Sequence, residues 1–272
     1  MQPFAICNET FGDWPWDRVC RFVAETGYQG VEIAPFTFAQ AVTDVSPEQR
    51  RLIRRQAEDA GLEIVGLHWL LASPKGLHIH TRDEALRRRT VDYLRALVDF
   101  AGDVGAPVMI FGSPAQRRLE DGDVAGAWER IQDSYRQVLP TLAEREVVLC
   151  QESLPAPESD FILTAADAAR MVRELDHPNF RMMLDVKSMC SEDRPAAEII
   201  REFAALVRHF HANDANRRGP GFGDTDFRPI VSALKEAGYT GWVSVEVFDY
   251  SPDPETIARD SLRYLREVFS AA

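Results

Sequence analysis

Short apolar segments alternate with longer amphipathic segments from one end of the chain to the other. The apolar segments are five to seven residues long, a length typical of β-strands. The segments between them have helical spacing of apolar residues, which is typical of helices that pack one face against a core. The pattern therefore predicts a repeated series of strand and helix. The predicted strands span residues 3–7, 30–34, 62–68, 107–111, 147–152, 180–185, 207–212 and 242–247.

Helix start and stop signals support these assignments. Ser46 and Pro47 supply an N-cap and a first-turn proline before a predicted helix that ends at Gly61. Thr81 is the predicted N-cap of the following helix, whose first turn carries Asp83 and Glu84. Acidic residues are favourable there because the N-terminus of a helix carries a partial positive charge.

The connections differ in length according to their direction. A glycine closes the helix and a strand follows after a short link in "ETGYQGVEI", "DAGLEIVGL", "DVGAPVMIF" and "EAGYTGWVSVEV". The loops that lead from strand to helix are longer and more polar, at residues 69–80, 112–121, 153–163 and 213–226.

This organisation predicts an α/β fold in which residues 1–272 form one (β/α)₈ TIM-barrel domain. The alternative is an open, doubly wound parallel sheet. That fold usually carries a glycine-rich phosphate loop after its first strand, and "CNETFGDWP" offers no such motif. We therefore favour the closed barrel.

Composition excludes several kinds of partner. The formal charge is -12, from 43 acidic and 31 basic residues, so nucleic acid and anionic membranes are poor partners. Apolar runs are shorter than the roughly 20 residues that a membrane helix needs. The four cysteines form no pair typical of a thiolate metal site. Because the N-terminal residues lack the pattern of a signal peptide, we expect a cytoplasmic protein.

Four of the predicted strands end in a residue type that binds metals. Glu152, Asp185, His211 and Glu246 each lie on the strand face opposite the one suited to contact the outer helices. In a barrel they would converge at the end where active sites form. Three carboxylates and one imidazole would repel there unless two carboxylates stay protonated or a divalent cation binds. We favour the cation, and such ligands suit Mn²⁺, Mg²⁺ or Co²⁺, with Zn²⁺ as a further option.

Longer motifs around these strand ends are similar to those of a known family. The motifs are "QESLPAPE", "MLDVKS", "HFHANDANRRGPGFGDTDF" and "GYTGWVSVEVF". The sequence resembles the xylose isomerase-like TIM barrels, in particular the sugar isomerase and epimerase branch that includes D-tagatose 3-epimerase-like members. The resemblance implies that Glu152, Asp185, His211 and Glu246 hold one divalent ion, for which we expect Mn²⁺ first. It also implies a sugar substrate and a dimer or tetramer.

The chemistry implied by the resemblance is isomerisation or epimerisation of a ketose. The ion stabilises charge on the substrate oxygen while a proton leaves the neighbouring carbon, which gives an enediolate. Glu152 and Glu246 are the expected acid–base pair, on opposite sides of that carbon. This would explain why Glu246 interrupts an otherwise apolar strand.

Three further residues are candidates for binding the substrate. Glu158 and Arg217 match substrate-contacting residues of the epimerases, and His68 ends the third strand beside the expected pocket. The alternatives are a surface position for Glu158, a solvated loop cation for Arg217 and a buried structural role for His68. In one departure, Ser188 stands where epimerases often have a histidine, with Lys187 before it, which leaves the orientation of the substrate open.

Other assignments remain open beside the isomerase. Arg117 and Arg118 form a basic pair that would either bind a phosphate or acid group or simply be solvated. A metal-dependent dehydratase or lyase on a keto-polyol, of the inosose or 3-dehydroshikimate type, begins with the same proton removal. An apurinic-site endonuclease would need additional histidines where Phe111 and Ser188 stand. A sensor that only binds sugar would not need paired carboxylates around an ion.

Overall fold

A computed structural model describes residues 2–271 and contains every predicted strand. The strands are β1 Phe4–Cys7, β2 Gly30–Ile33, β3 Glu63–Leu67, β4 Val108–Phe111, β5 Val148–Gln151, β6 Phe180–Asp185, β7 Val207–Ala212 and β8 Val243–Val245. The helices are α1 Trp16–Thr26, α2 Pro47–Asp59, α3 Glu84–Val104, α4 Val124–Glu144, α5 Ala165–Leu175, α6 Val186–Met189, α7 Ala196–Phe203, α8 Phe227–Glu236 and α9 Pro254–Ala271.

The strands form a closed parallel barrel in sequence order, from β1 to β8. The last strand pairs with the first, with Phe4 opposite Val243 and Ile6 opposite Val245. The prediction of a (β/α)₈ barrel over an open sheet is therefore confirmed. That residues 1–272 form a single domain stays a prediction.

Alternation along the strands separates two apolar layers. The outer layer packs the sheet against the helices and contains Leu149 and Leu184. A small cluster within the barrel contains Cys150 and Met183 from the same two strands. Because side chains of successive strand residues point to opposite faces, Glu152 and Asp185 continue the inner set, as the sequence predicts.

The predicted N-cap of α2 is present in the structure, whereas that of α3 is not. Ser46 and Gln49 form a capping box before Pro47. The prediction of Thr81 as N-cap of α3 is wrong, because Asp83 takes that role and its Oδ1 accepts from the N–H groups of Ala85 and Leu86. The Thr81 hydroxyl instead donates to Glu120, at 2.7 Å. Over residues 2–271, no helix has both the length and the apolar character needed to cross a bilayer.

Candidate metal centre and active site

The four predicted metal ligands converge at the C-terminal end of the barrel. Glu152, Asp185, His211 and Glu246 follow or end the neighbouring strands β5, β6, β7 and β8. One ligand atom from each lies within 4.8 Å of those of the other three, and all four residues are buried. The parallel barrel brings these side chains together because all its strands end at one rim. The cluster combines three carboxylates with one imidazole, a donor set suited to a hard or borderline divalent ion.

Asp185 is held by groups from the two loops beside it. Its Oδ1 accepts from the backbone N–H of Ser188 at 2.8 Å, which caps α6, and its Oδ2 accepts from the Asn213 amide at 2.5 Å. The Asn213 oxygen in turn accepts from the backbone N–H of Lys187 at 2.8 Å. These contacts fix the carboxylate before any ligand binds.

Glu246 lies between two imidazoles. Its Oε1 is 3.2 Å from His68 Nδ1, and its Oε2 is 3.0 Å from His211 Nδ1. Burial alone would raise the pKa of Glu246, but the two imidazoles outweigh it and hold the pKa well below its usual range. Glu246 is therefore a carboxylate at neutral pH.

The pKa of Glu152 is shifted in the opposite direction. Burial, and after it the charges of Glu246 and Asp185, raise the pKa of Glu152 to about 8. Without a bound cation, the cluster therefore contains one carboxyl group that holds a proton and one that does not. Two carboxyl groups whose pKa values are pushed apart in this way are typical of an acid–base pair.

The end of β4 leaves space for the Glu152 carboxyl group. A Cβ atom added at Gly112 would lie 2.3 Å from Glu152 Oε2, closer than such atoms approach. A larger residue at this position would therefore displace the Glu152 carboxyl group. The sequence did not single out this residue.

A cavity of about 160 Å³ opens over the cluster. The three predicted substrate-binding residues, His68, Glu158 and Arg217, all line it, together with Glu152 and Glu246. His68 also contacts Glu9, whose Oε2 lies 2.9 Å from His68 Nε2. Burial opposes protonation of His68, but Glu9 and Glu246 raise its pKa to about 10. Glu9 was missed, although it follows the end of β1 as Glu246 follows β8.

Glu158 forms an ion pair at the cavity wall with Lys187. The Lys187 ammonium lies 2.8 Å from both Glu158 carboxylate oxygens, and Lys187 is 4% exposed. It also lies 4.7 Å from the centre of the Phe248 ring, over which the Arg217 guanidinium sits at 5.4 Å. Ser188 stands where epimerases often have a histidine, and Lys187 next to it thus places a buried cation beside the cluster.

Arg117 has neither of the roles considered from the sequence. It is fully buried, and its guanidinium donates to the Glu152 backbone oxygen at 2.6 Å and to Ser159 Oγ at 3.3 Å. Burial lowers the pKa of Arg117 to about 10. The residue therefore holds the loop after β5 in place, while Arg118 is exposed.

A second buried group lies beneath the cluster and was also missed. The carboxylate of Glu32, from β2, contacts His209 and His211 inside the barrel. A signal was present, because Glu32 interrupts the apolar segment "GVEIA" as Glu246 interrupts β8. Both imidazoles lie on one face of β7, two residues apart.

Comparison with known proteins agrees with the fold. The model of the xylose isomerase-like TIM barrel family matches residues 20–268. The chain belongs to this family, as the sequence motifs indicated.

Two curated relatives illustrate the activities found in the family. A probable ketose 3-epimerase from Synechocystis sp. is 24% identical, over 89% of this chain and 87% of its own length. A D-psicose 3-epimerase from Agrobacterium fabrum is 27% identical, over 83% of this chain and 77% of its own. Ketose epimerases are isomerases, so the prediction of an isomerase is confirmed.

Solved structures show the same fold. A D-psicose 3-epimerase crystallised in the presence of D-fructose superposes with a TM-score of 0.86. It is 22% identical, and the match covers 98% of this chain and 99% of that one. At this identity the likeness concerns the architecture of the barrel.

Proposed function

We propose that the protein is a divalent-metal-dependent epimerase or isomerase of a ketose, acting by proton removal from the carbon next to the carbonyl. The observation that carries this proposal is the pair of glutamates, Glu152 and Glu246, which face one cavity and belong to one buried cluster of potential metal ligands. The names of the relatives support ketose 3-epimerisation as the first reaction to assay. They favour epimerisation over the dehydratase alternative.

The four-ligand cluster fits a divalent ion. Its ligand atoms lie within 4.8 Å of one another, and the crowding of three buried carboxylates is relieved when a cation balances their charge. We propose Glu152, Asp185, His211 and Glu246 as the ligands, and Mn²⁺ as the first ion to test, since three oxygens and one nitrogen suit it. When bound, the ion would stabilise negative charge that develops on the substrate oxygen.

The residues of the chain would move the proton. One of Glu152 and Glu246 takes a proton from the carbon next to the carbonyl, which leaves an enediolate. The other returns a proton to the same carbon from the opposite face, which gives the epimer. His68 holds the Glu246 carboxylate in place through the contact at 3.2 Å. Return of the proton to the neighbouring carbon would instead give aldose–ketose isomerisation.

The groups that line the cavity suit the hydroxyl groups of a sugar. Hydroxyl groups can donate hydrogen bonds to the carboxylates of Glu158 and Glu246 and accept them from the guanidinium of Arg217. We propose free ketoses as the first substrates to test, as the names of the relatives indicate.

The test is proton exchange in deuterated water with a panel of free ketoses. The purified protein, supplied with Mn²⁺, should introduce deuterium at the carbon next to the carbonyl and form the epimer. Removal of the ion by a chelator should stop both reactions, and added Mn²⁺ should restore them. Absence of exchange with every ketose and with Mn²⁺, Mg²⁺, Co²⁺ and Zn²⁺ would contradict the proposal. Loss of water from a cyclic keto-polyol would favour the dehydratase.

Replacement of Lys187 by methionine tests the role of the buried pair. Lys187→Met leaves Glu158 without its cation, so we expect KM to rise by about tenfold and stability to fall by about 1–3 kcal/mol, since Glu158 remains partly exposed. The measurements are steady-state kinetics and chemical denaturation.

The double variant Lys187→Met/Glu158→Gln is the matched control for this pair. It removes both charges, so stability should recover while KM stays high. An unchanged KM in the single variant would show that the pair has no role in holding the substrate.

A further inference from the structure

A carboxylate inside the barrel supports one of the proposed metal ligands from below. Glu32 is fully buried, and its two oxygens lie 3.1 and 3.2 Å from His211 Nε2. Glu32 Oε2 also lies 2.9 Å from His209 Nε2. One carboxylate therefore meets two imidazoles of β7 at hydrogen-bonding distance.

The Glu32 side chain reaches β7 through the interior of the barrel. Glu32 belongs to β2, which is separated from β7 in the barrel by β1 and β8. On the other side of β2, Gly66 of β3 lies close enough that a Cβ atom added there would make an ordinary contact with Glu32 Oε1 at 3.5 Å. The carboxylate therefore lies inside the barrel, between β3 and β7.

The two nitrogens of His211 face different partners. Nε2 faces Glu32 below, while Nδ1 faces Glu246, one of the other proposed ligands, above. An imidazole that donates its Nε2–H to a carboxylate keeps the lone pair of Nδ1 free for a metal ion.

We infer that Glu32 is a positioning residue for metal binding, which fixes the orientation of His211 and the nitrogen on which its proton resides. The inference rests on the proposed function, because it concerns the ion that His211 would hold. His209 supports Glu32 by donating to the same carboxylate. Burial of an unpaired carboxylate is costly, and apolar residues of the same size often serve a core equally well or better. Its placement against His211 is what a role in ligand orientation requires.

The first test compares the Mn²⁺ affinity of the parent chain and Glu32→Gln by isothermal titration calorimetry. The glutamine keeps the shape of the side chain, but it carries no negative charge and has a donating NH₂ group in place of one of the two oxygens that face His211 Nε2. We expect about 10- to 100-fold weaker binding, the usual effect of losing such a support.

Tyr28→Phe is the matched control. It also removes one buried hydrogen bond, from the Tyr28 hydroxyl to the backbone oxygen of Ala258 at 2.9 Å, away from the cluster. Its Mn²⁺ affinity should equal that of the parent, so a loss of stability alone cannot account for the effect in Glu32→Gln. His209→Leu, which removes one donor to Glu32, is a second variant and should weaken binding in the same direction.

The second test is nitrogen-15 NMR of His211 in the Zn²⁺-loaded protein. The expected spectrum has a protonated Nε2 in the parent chain. A proton on Nδ1, or parent-like affinity in both Glu32→Gln and His209→Leu, would overturn the inference and leave the proposed function intact. Failure of the parent chain itself to bind any divalent ion would instead contradict the proposed function and remove this inference with it.

Discussion

Replacement of Glu246 by glutamine is expected to lower kcat by about 10²- to 10⁴-fold, the usual contribution of a positioned acid or base. The amide has nearly the shape of the carboxylate but cannot take up a proton from carbon. Because Glu158 and Arg217 remain at the cavity wall, we expect sugar binding to survive. Steady-state kinetics and calorimetric titration with the substrate measure the two effects separately.

The control for this variant is Glu255→Gln, a change at a partly exposed residue of α9, which should leave kcat unchanged. Deuterium exchange adds a sharper readout. If Glu152 and Glu246 serve opposite faces of one carbon, each single glutamine variant should retain exchange with at most one of the two epimers. Equal loss of sugar binding and turnover in Glu246→Gln would indicate that the variant has lost the ion, whereas a parent chain with no turnover on any ketose would favour a sugar-binding protein.

The metal-free protein is expected to lose stability as the pH rises from about 4.5 to about 8. Burial, followed by the charges of Glu246 and Asp185, raises the pKa of Glu152 to about 8, whereas a glutamate in the unfolded chain titrates near 4.3. Between these values the unfolded chain releases a proton that the folded chain retains, so rising pH favours unfolding. At about 1.4 kcal/mol for each pKa unit, the loss amounts to several kcal/mol.

Chemical denaturation of the metal-free protein at pH 5.5, 7 and 8.5 measures this loss. Glu152→Gln carries no titrating group at this position, so its stability should stay nearly constant from pH 5.5 to about 6.5 and fall less than that of the parent chain above this pH, where His68, with a pKa of about 10, retains a proton that the unfolded chain releases. Added Mn²⁺ should increase the stability of the parent chain most strongly at the highest pH, because the ion replaces the proton that Glu152 has lost. A metal-free parent chain that gains stability from pH 5.5 to 8.5 would contradict the crowding of carboxylates on which the metal proposal depends.

The barrel was predictable because its pattern is local. Each strand is a short apolar segment, and each helix closes with signals such as the capping box at Ser46. The four candidate ligands were predictable for a related reason. A carboxylate such as Glu246 on the inward face at the end of an apolar strand is visible in the sequence, and parallel strands bring such residues to one rim.

Partners that lie far apart along the chain were not predictable. Glu32 lies 177 residues from His209, and nothing near either residue in the sequence identifies the other. In the sequence, Arg117 resembles a solvated loop cation. In the structure it is buried, and its guanidinium donates to backbone carbonyl oxygens. Lys187 was noticed as a departure, but its ion pair with Glu158 depends on how two loops meet.

By itself, the sequence determined the alternation of strands and helices, the face of each strand that turns inward and the residue types at the strand ends. These properties follow from backbone geometry and from the periodic burial of apolar side chains, which act over a few residues. The tertiary structure alone decided which charges meet, which of them are buried and how far their pKa values move. Those quantities depend on distance and on access to water across the closed barrel, and neither is encoded in any short segment of the chain.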